Sequence, residues 1–172
     1  MARFVAVTDF LTGEFLISLQ DQTDDLQAVI DRLEEEILQD LLGKELHDLF
    51  IADLDTAPFP QVPQSTRFLD IFNKFHQDDP FYLRSEGMIR MLQAMIYFEW
   101  IKQTGMQESP VGVIQNEFEN GINLSANAAN LEMTHNRGIR TFLAILDFII
   151  LDQVTYPEYS GRSKVRQFIS FL

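Results

Sequence analysis

The chain has no cysteine among its 172 residues. Disulfide scaffolds, thiolate metal sites and cysteine nucleophiles are therefore excluded, and a reducing cytoplasm fits this composition. Long hydrophobic runs are also missing. The greasiest stretch, Ile139 to Leu151, is interrupted by Arg140 and Asp147 and falls well short of the ~20 apolar residues that span a bilayer. The apolar run Phe4 to Val7 is too short for a signal-peptide core, so a protein with no membrane role is expected. Cations are scarce: 13 Lys and Arg stand against 26 Asp and Glu, a formal charge of −13. Phosphate-backbone binding depends on clustered cations, so it is not expected as the main task. The acidic excess is uneven. Residues 1–60 carry 14 acidic and 3 basic side chains, whereas residues 121–172 carry 4 and 5.

What the chain has instead is phenylalanine. There are 15 Phe against one Trp and four Tyr, and Phe brings large apolar area with no polar atom to satisfy. At 172 residues and 46% hydrophobic content, the length suits one domain with a sizeable core. The patterning predicts a mainly α fold: a bundle of four or five helices with a long loop, a possible short hairpin and an extended C-terminal tail.

Residues 1–22 alternate loosely around a turn at Gly13 and read equally well as a short strand or hairpin or as an extended arm. Thr23-Asp24-Asp25 signals a helix start, with Asp24 and Gln27 as a possible capping box. Leu26, Val29, Ile30, Leu33, Ile37, Leu38, Leu41 and Leu42 follow at helical spacing, with acidic residues opposite. Gly43 ends this helix, and a second runs from about Lys44 to Leu54. After the Pro58, Pro60 and Pro63 loop, Ser65 is placed to cap a short helix carrying Phe68, Leu69, Phe72 and Phe75. Met88 to Ile101 is apolar on nearly every face, which predicts a helix at the centre of the fold. Residues 105–127, rich in Gly, Asn, Gln and Ser, read as a long loop with a possible hairpin around Val111 to Ile114. A last helix is expected over Ala128 to Gln153, then a tail over 156–172.

No P-loop, dinucleotide fingerprint, HExxH motif or nucleophile elbow is present. His47, His76 and His135 are far apart in sequence. His76 with Asp78 and Asp79 reads as a solvated turn rather than a metal site, and Glu34-Glu35-Glu36 as a solvated helix face. The expectation is a protein with no catalytic residues, no cofactor and no metal, working by binding other proteins. Two segments are candidates for that contact. One is the loop, through Val111, Val113, Ile114, Asn116 and Phe118. The other is the tail, where Arg162, Lys164 and Arg166 precede Phe168, Ile169, Phe171 and Leu172. This tail either packs back on its own domain or docks in trans on an acidic and apolar surface.

The run Asp24-Asp25-Leu26-Gln27-Ala28-Val29-Ile30 through Leu41-Leu42-Gly43-Lys44-Glu45-Leu46 resembles the first helices of bacteriophage head–tail connector proteins. Ser85-Glu86-Gly87-Met88 through Phe98-Glu99-Trp100 resembles their central helix, and the loop that follows resembles the one they aim at the portal or the next ring. With His135-Asn136-Arg137-Gly138-Ile139 and Ala144-Ile145, the likeness is closer to a family from phages and prophages of Bacteroidetes hosts, crAss-like phages included. It extends from about Phe4 to Gly161, and the helix from Ala128 is longer than the minimal connector fold has. The resemblance implies a structural virion protein at the head–tail interface, made in the host cytoplasm. It would form a ring of identical subunits, twelvefold in that family, between the portal and the tail proteins. DNA would pass through its channel. Outside the resemblance, an assembly chaperone or regulator would use the same helical surfaces.

Overall fold

The computed structural model describes residues 3–17, 23–56, 59–79, 82–109, 112–115 and 124–160. Its element order is α1 (Thr23–Ala52), α2 (Thr66–Phe72), β1 (Phe75–Gln77), β2 (Leu83–Ser85), α3 (Met88–Gly105), β3 (Met106–Ser109), β4 (Gly112–Gln115) and α4 (Leu124–Leu151). Helix dominates, as the periodicity predicts. The four strands form two separate antiparallel hairpins, β1 with β2 and β3 with β4.

The helix α1 is broken where the sequence places the break. Gly43 has φ 69° and ψ 164° inside an otherwise helical run, a conformation open essentially to glycine alone. Two arms, 23–42 and 44–52, therefore meet at an angle, each burying one stripe. Leu26, Ile30, Leu33, Ile37, Leu38, Leu41 and Leu42 face inward from the first, and Leu46 and Phe50 from the second. The possible capping box does not use Gln27, whose side-chain amide donates to Asp31 instead (2.8 Å). Nor does Ser65 close α2 with its side chain. Its hydroxyl and N–H both donate to Asp53 Oδ2, at 3.0 and 2.9 Å, tying the start of α2 to the end of α1.

The antiparallel pair α3–α4 is the most extensive helix packing in the molecule. Its register is set by a close approach at Gly138. A Cβ there would lie 3.1–3.2 Å from Met95 Cγ and Ala94 Cβ. Farther along, the Phe98 and His135 rings stack at 3.9 Å, and at the other end Thr141 Oγ1 accepts the Glu86 N–H (3.3 Å). α3 is enclosed by α1, α4 and the N-terminal segment, and buries Met88, Met91, Leu92, Met95, Ile96 and Trp100. This matches the expectation for an all-round apolar helix.

Several expectations are corrected. Residues 3–17 are neither a hairpin nor an extended arm. They form two short 3-10 turns, Val7–Phe10 and Gly13–Phe15, and bury Phe4, Val5, Phe10, Phe15 and Ile17. Phe4 joins an aromatic cluster with Phe50 (5.8 Å between ring centroids) and Phe72 (5.6 Å), and Phe68 meets Phe50 edge-on at 5.4 Å. Phe75 does not continue α2. It lies on β1 with its ring 5.0 Å from Phe148 of α4, because the helix stops at Asn73, whose backbone is extended. The 105–127 segment holds the hairpin that the sequence left possible, as β3 (Met106–Ser109) and β4 (Gly112–Gln115), but α4 begins at Leu124, earlier than Ala128. The first residues of the expected tail belong to the core: Tyr156 is fully buried and its hydroxyl donates to the Arg67 carbonyl.

Candidate interaction surfaces

The acidic run Glu34-Glu35-Glu36 divides by face. Glu35 and Glu36 are exposed, and Glu36 pairs with Arg32 at 3.5 Å. Glu34 is 3% exposed, which corrects its reading as part of a solvated face. Its carboxylate accepts the backbone N–H groups of Arg3 (2.6 Å), Phe4 (3.1 Å) and Val5 (3.0 Å). One side chain thus satisfies three consecutive donors of a segment with no strand or helix partner. Burial raises its pKa above the ordinary carboxyl value, against the downward pull of those three N–H groups and of Arg3.

Outside that buried group, α1 presents an acidic surface. Thr23–Ala52 carries nine acidic and two basic residues, and all the acidic ones except Glu34 are exposed or half-buried. His47 lies one turn past the Gly43 break. Among the described residues neither of its buried ring nitrogens has a hydrogen-bond partner, and Nδ1 stands 3.6 Å from Asp48 Oδ1. Burial holds His47 and His135 below the ordinary imidazole pKa, as low polarity disfavours the charged ring.

A second site joins three parts of the chain. Glu14 receives Arg90 of α3 (2.6 Å) and Arg137 of α4 (2.7 Å), and the Arg90 guanidinium sits over the Phe15 ring at 4.8 Å. The cleft beside them, lined also by Thr134 and Thr141, holds about 10 Å³, room for about one water. These side chains are one-third to one-half exposed, so each ion pair contributes ~0–1 kcal/mol. The arrangement positions the N-terminal segment on the α3–α4 pair. Sequence reasoning missed it because the partners are more than seventy residues apart and match no motif.

The hairpin β3–β4 follows directly from the end of α3. Its strands pair in register from Met106 with Gln115 to Ser109 with Gly112. Among the described residues they join the end of α3, and no other element packs extensively on them. Val113 and Ile114 lie on β4. The other sequence-predicted contact residues, Val111, Asn116, Phe118, Arg162, Lys164, Arg166, Phe168, Ile169, Phe171 and Leu172, lie outside the described residues. Apolar side chains are also exposed at the C-terminal end of α4, at Ile150 and Leu151, and in the turn after it, at Val154, which is 93% exposed.

The turn read at His76 and Asp78 is the tip of the β1–β2 hairpin. His76 Nε2 lies 2.8 Å from Asp78 Oδ1 and its ring meets Tyr82 edge-on at 5.0 Å. Among the described residues no three His, Asp or Glu side chains converge as metal ligands would. No described helix is long and apolar enough to cross a membrane. Comparisons of the chain with protein families, with curated proteins and with solved structures give no match.

Proposed function

We propose that this chain is a non-enzymatic structural protein that assembles through the β3–β4 hairpin. On the resemblance of its helices, the assembly is the connector ring between a bacteriophage portal and its tail. The observation that carries this reading is the hairpin itself. It lies between the antiparallel helices α3 and α4 in the chain and follows directly from the end of α3. A two-stranded hairpin is marginal in isolation, so its strands gain stability once a partner covers them. Identical subunits placing such an element on the next copy generate a head-to-tail contact, which closes into a ring when the rotation permits.

In this reading the chain resides in the virion, contacts portal and tail proteins, and uses no cofactor. The acidic surface of α1 suits a channel wall: like charge offers phosphate no grip, and DNA slides past. The test replaces residues 107–114 with a short Gly-Ser turn. Circular dichroism should show the helical body unchanged, while negative-stain imaging or co-purification with portal protein should show assembly lost. Normal assembly by the shortened chain would end this proposal. Portal and capsid genes beside this one would support the connector over a cytoplasmic assembly chaperone.

A further inference from the structure

The C-terminal end of the described chain is delivered to a specific place. Tyr156 is buried, Tyr159 packs against the core, and Glu158 pairs with Arg67 at 3.3 Å. These anchors bring Ser160 to the break in α1, where a Cβ on Gly43 would stand 3.7 Å from Ser160 Oγ. Residues 161–172 continue from that point.

On the arm of α1 before the break, Asp40 and Glu36 precede Gly43 by one and two helical turns and so share its face. Among the described residues Asp40 has no ion-pair partner, and Glu36, with its side chain 57% exposed, pairs with Arg32 at 3.5 Å. On the other arm, His47 buries both ring nitrogens, with Nδ1 3.6 Å from Asp48 Oδ1. The continuing segment carries the complementary charge: Arg162, Lys164 and Arg166 alternate with Ser163 and Val165. In an extended chain such residues line one side at a repeat of ~6.6 Å. Carboxylates one turn apart on a helix repeat every ~5–6 Å. Arg162 is two residues past Ser160, within ~7 Å of it, and Arg166 is within ~22 Å.

We propose that the face of α1 beside Gly43 is the docking site for residues 161–172 of the same chain, with Arg162 and Lys164 set against Asp40 and Glu36. The tether dictates this choice of occupant. A segment starting in contact with its receptor meets it at an effective concentration in the millimolar range, which a second copy reaches only when densely assembled. The docked segment neutralises part of the acidic surface and is salt-sensitive, because exposed charges are screened beyond ~10 Å at 0.1 M salt. This inference does not depend on the connector reading and concerns the isolated chain.

Because the chain has no cysteine, two introduced thiols report on this contact alone. In the variant Gln39→Cys/Ser163→Cys, mild oxidation at low protein concentration should give an intramolecular disulfide, identified by mass and by non-reducing gel. The rate should fall severalfold in high salt and with Asp40→Lys, and recover when Arg162→Glu is added to Asp40→Lys. Circular dichroism establishes that each variant is folded. A disulfide formed only between chains would assign the site to a neighbouring copy and overturn the proposal. So would no disulfide at all, or a rate indifferent to salt and charge reversal.

Discussion

At the scale of single residues, Glu34 and His47 are both buried on α1 and respond to pH in opposite ways. Glu34 holds the backbone of Arg3, Phe4 and Val5. Glu34→Ala leaves three N–H groups without their acceptor, and the expected cost is about 2–3 kcal/mol. It should appear as a lower Tm and as faster hydrogen exchange in residues 3–17. Burial raises the Glu34 pKa above 4.5. The folded chain therefore binds this proton more tightly than the unfolded chain, and the stability contribution from Glu34 declines as pH rises through the window above 4.5. His47 has the reverse sign. Its folded pKa lies below 6.5, so its contribution is fully present above pH 6.5 and is lost as pH falls through the folded value. His135 acts in the same direction. His47→Leu replaces two buried nitrogens that make no hydrogen bond among the described residues with an apolar group. It should change stability at neutral pH by less than ~1 kcal/mol and flatten the fall in Tm between neutral pH and pH 5. An unchanged acid limb would show that His47 does not titrate on unfolding.

At the scale of elements, the break in α1 is an alternative to a straight helix, and glycine decides between them. In an ordinary helix interior, Gly→Ala stabilises by about 0.5–1 kcal/mol. At φ 69° and ψ 164° the same change places a Cβ in a region reserved for glycine and should cost about 1–3 kcal/mol. Urea denaturation of Gly43→Ala should show a lower midpoint at unchanged m. A gain in stability would mean that the helix can straighten through this position. This break was legible in the sequence because a glycine directly after Leu41-Leu42 reads as a helix stop. The β1–β2 hairpin was not. Its strands are three residues each, too short for alternation to register, and β2 is held by packing on α4. The start of α4 at Leu124 was hidden for a related reason. Asn, Ser and Gly obscure a helical signal because they also favour turns.

At the scale of the whole molecule, the fold is organised around α3, and Trp100 tests that organisation. The residue is 4% exposed in the shared core. Trp100→Asp both vacates a large side chain and buries an unpaired charge, so the expected loss is at least about 3–5 kcal/mol. That is a large part of the total for a domain of this size. A near-native thermal melt for this variant would mean that the core tolerates an opening at that end of α3. The N-terminal segment is where sequence and structure part most clearly. Phe4, Phe10 and Phe15 read as a loose alternation, yet the structure places them in the core against α1, α2 and α3.

The amino-acid sequence by itself determined the helical class, the break at Gly43, the burial of α3 and the acidic outer face of α1. Each follows from residue type and spacing within one element, where neighbours along the chain are neighbours in space. Only the tertiary structure decided that Glu34 is buried while Glu35 and Glu36 are not, and that Glu14 meets Arg90 and Arg137. It also decided that Tyr156 closes the core and brings Ser160 to Gly43. Those pairings join residues tens of positions apart. They are selected by mutual burial and hydrogen-bond satisfaction once the helices pack, which no local pattern encodes.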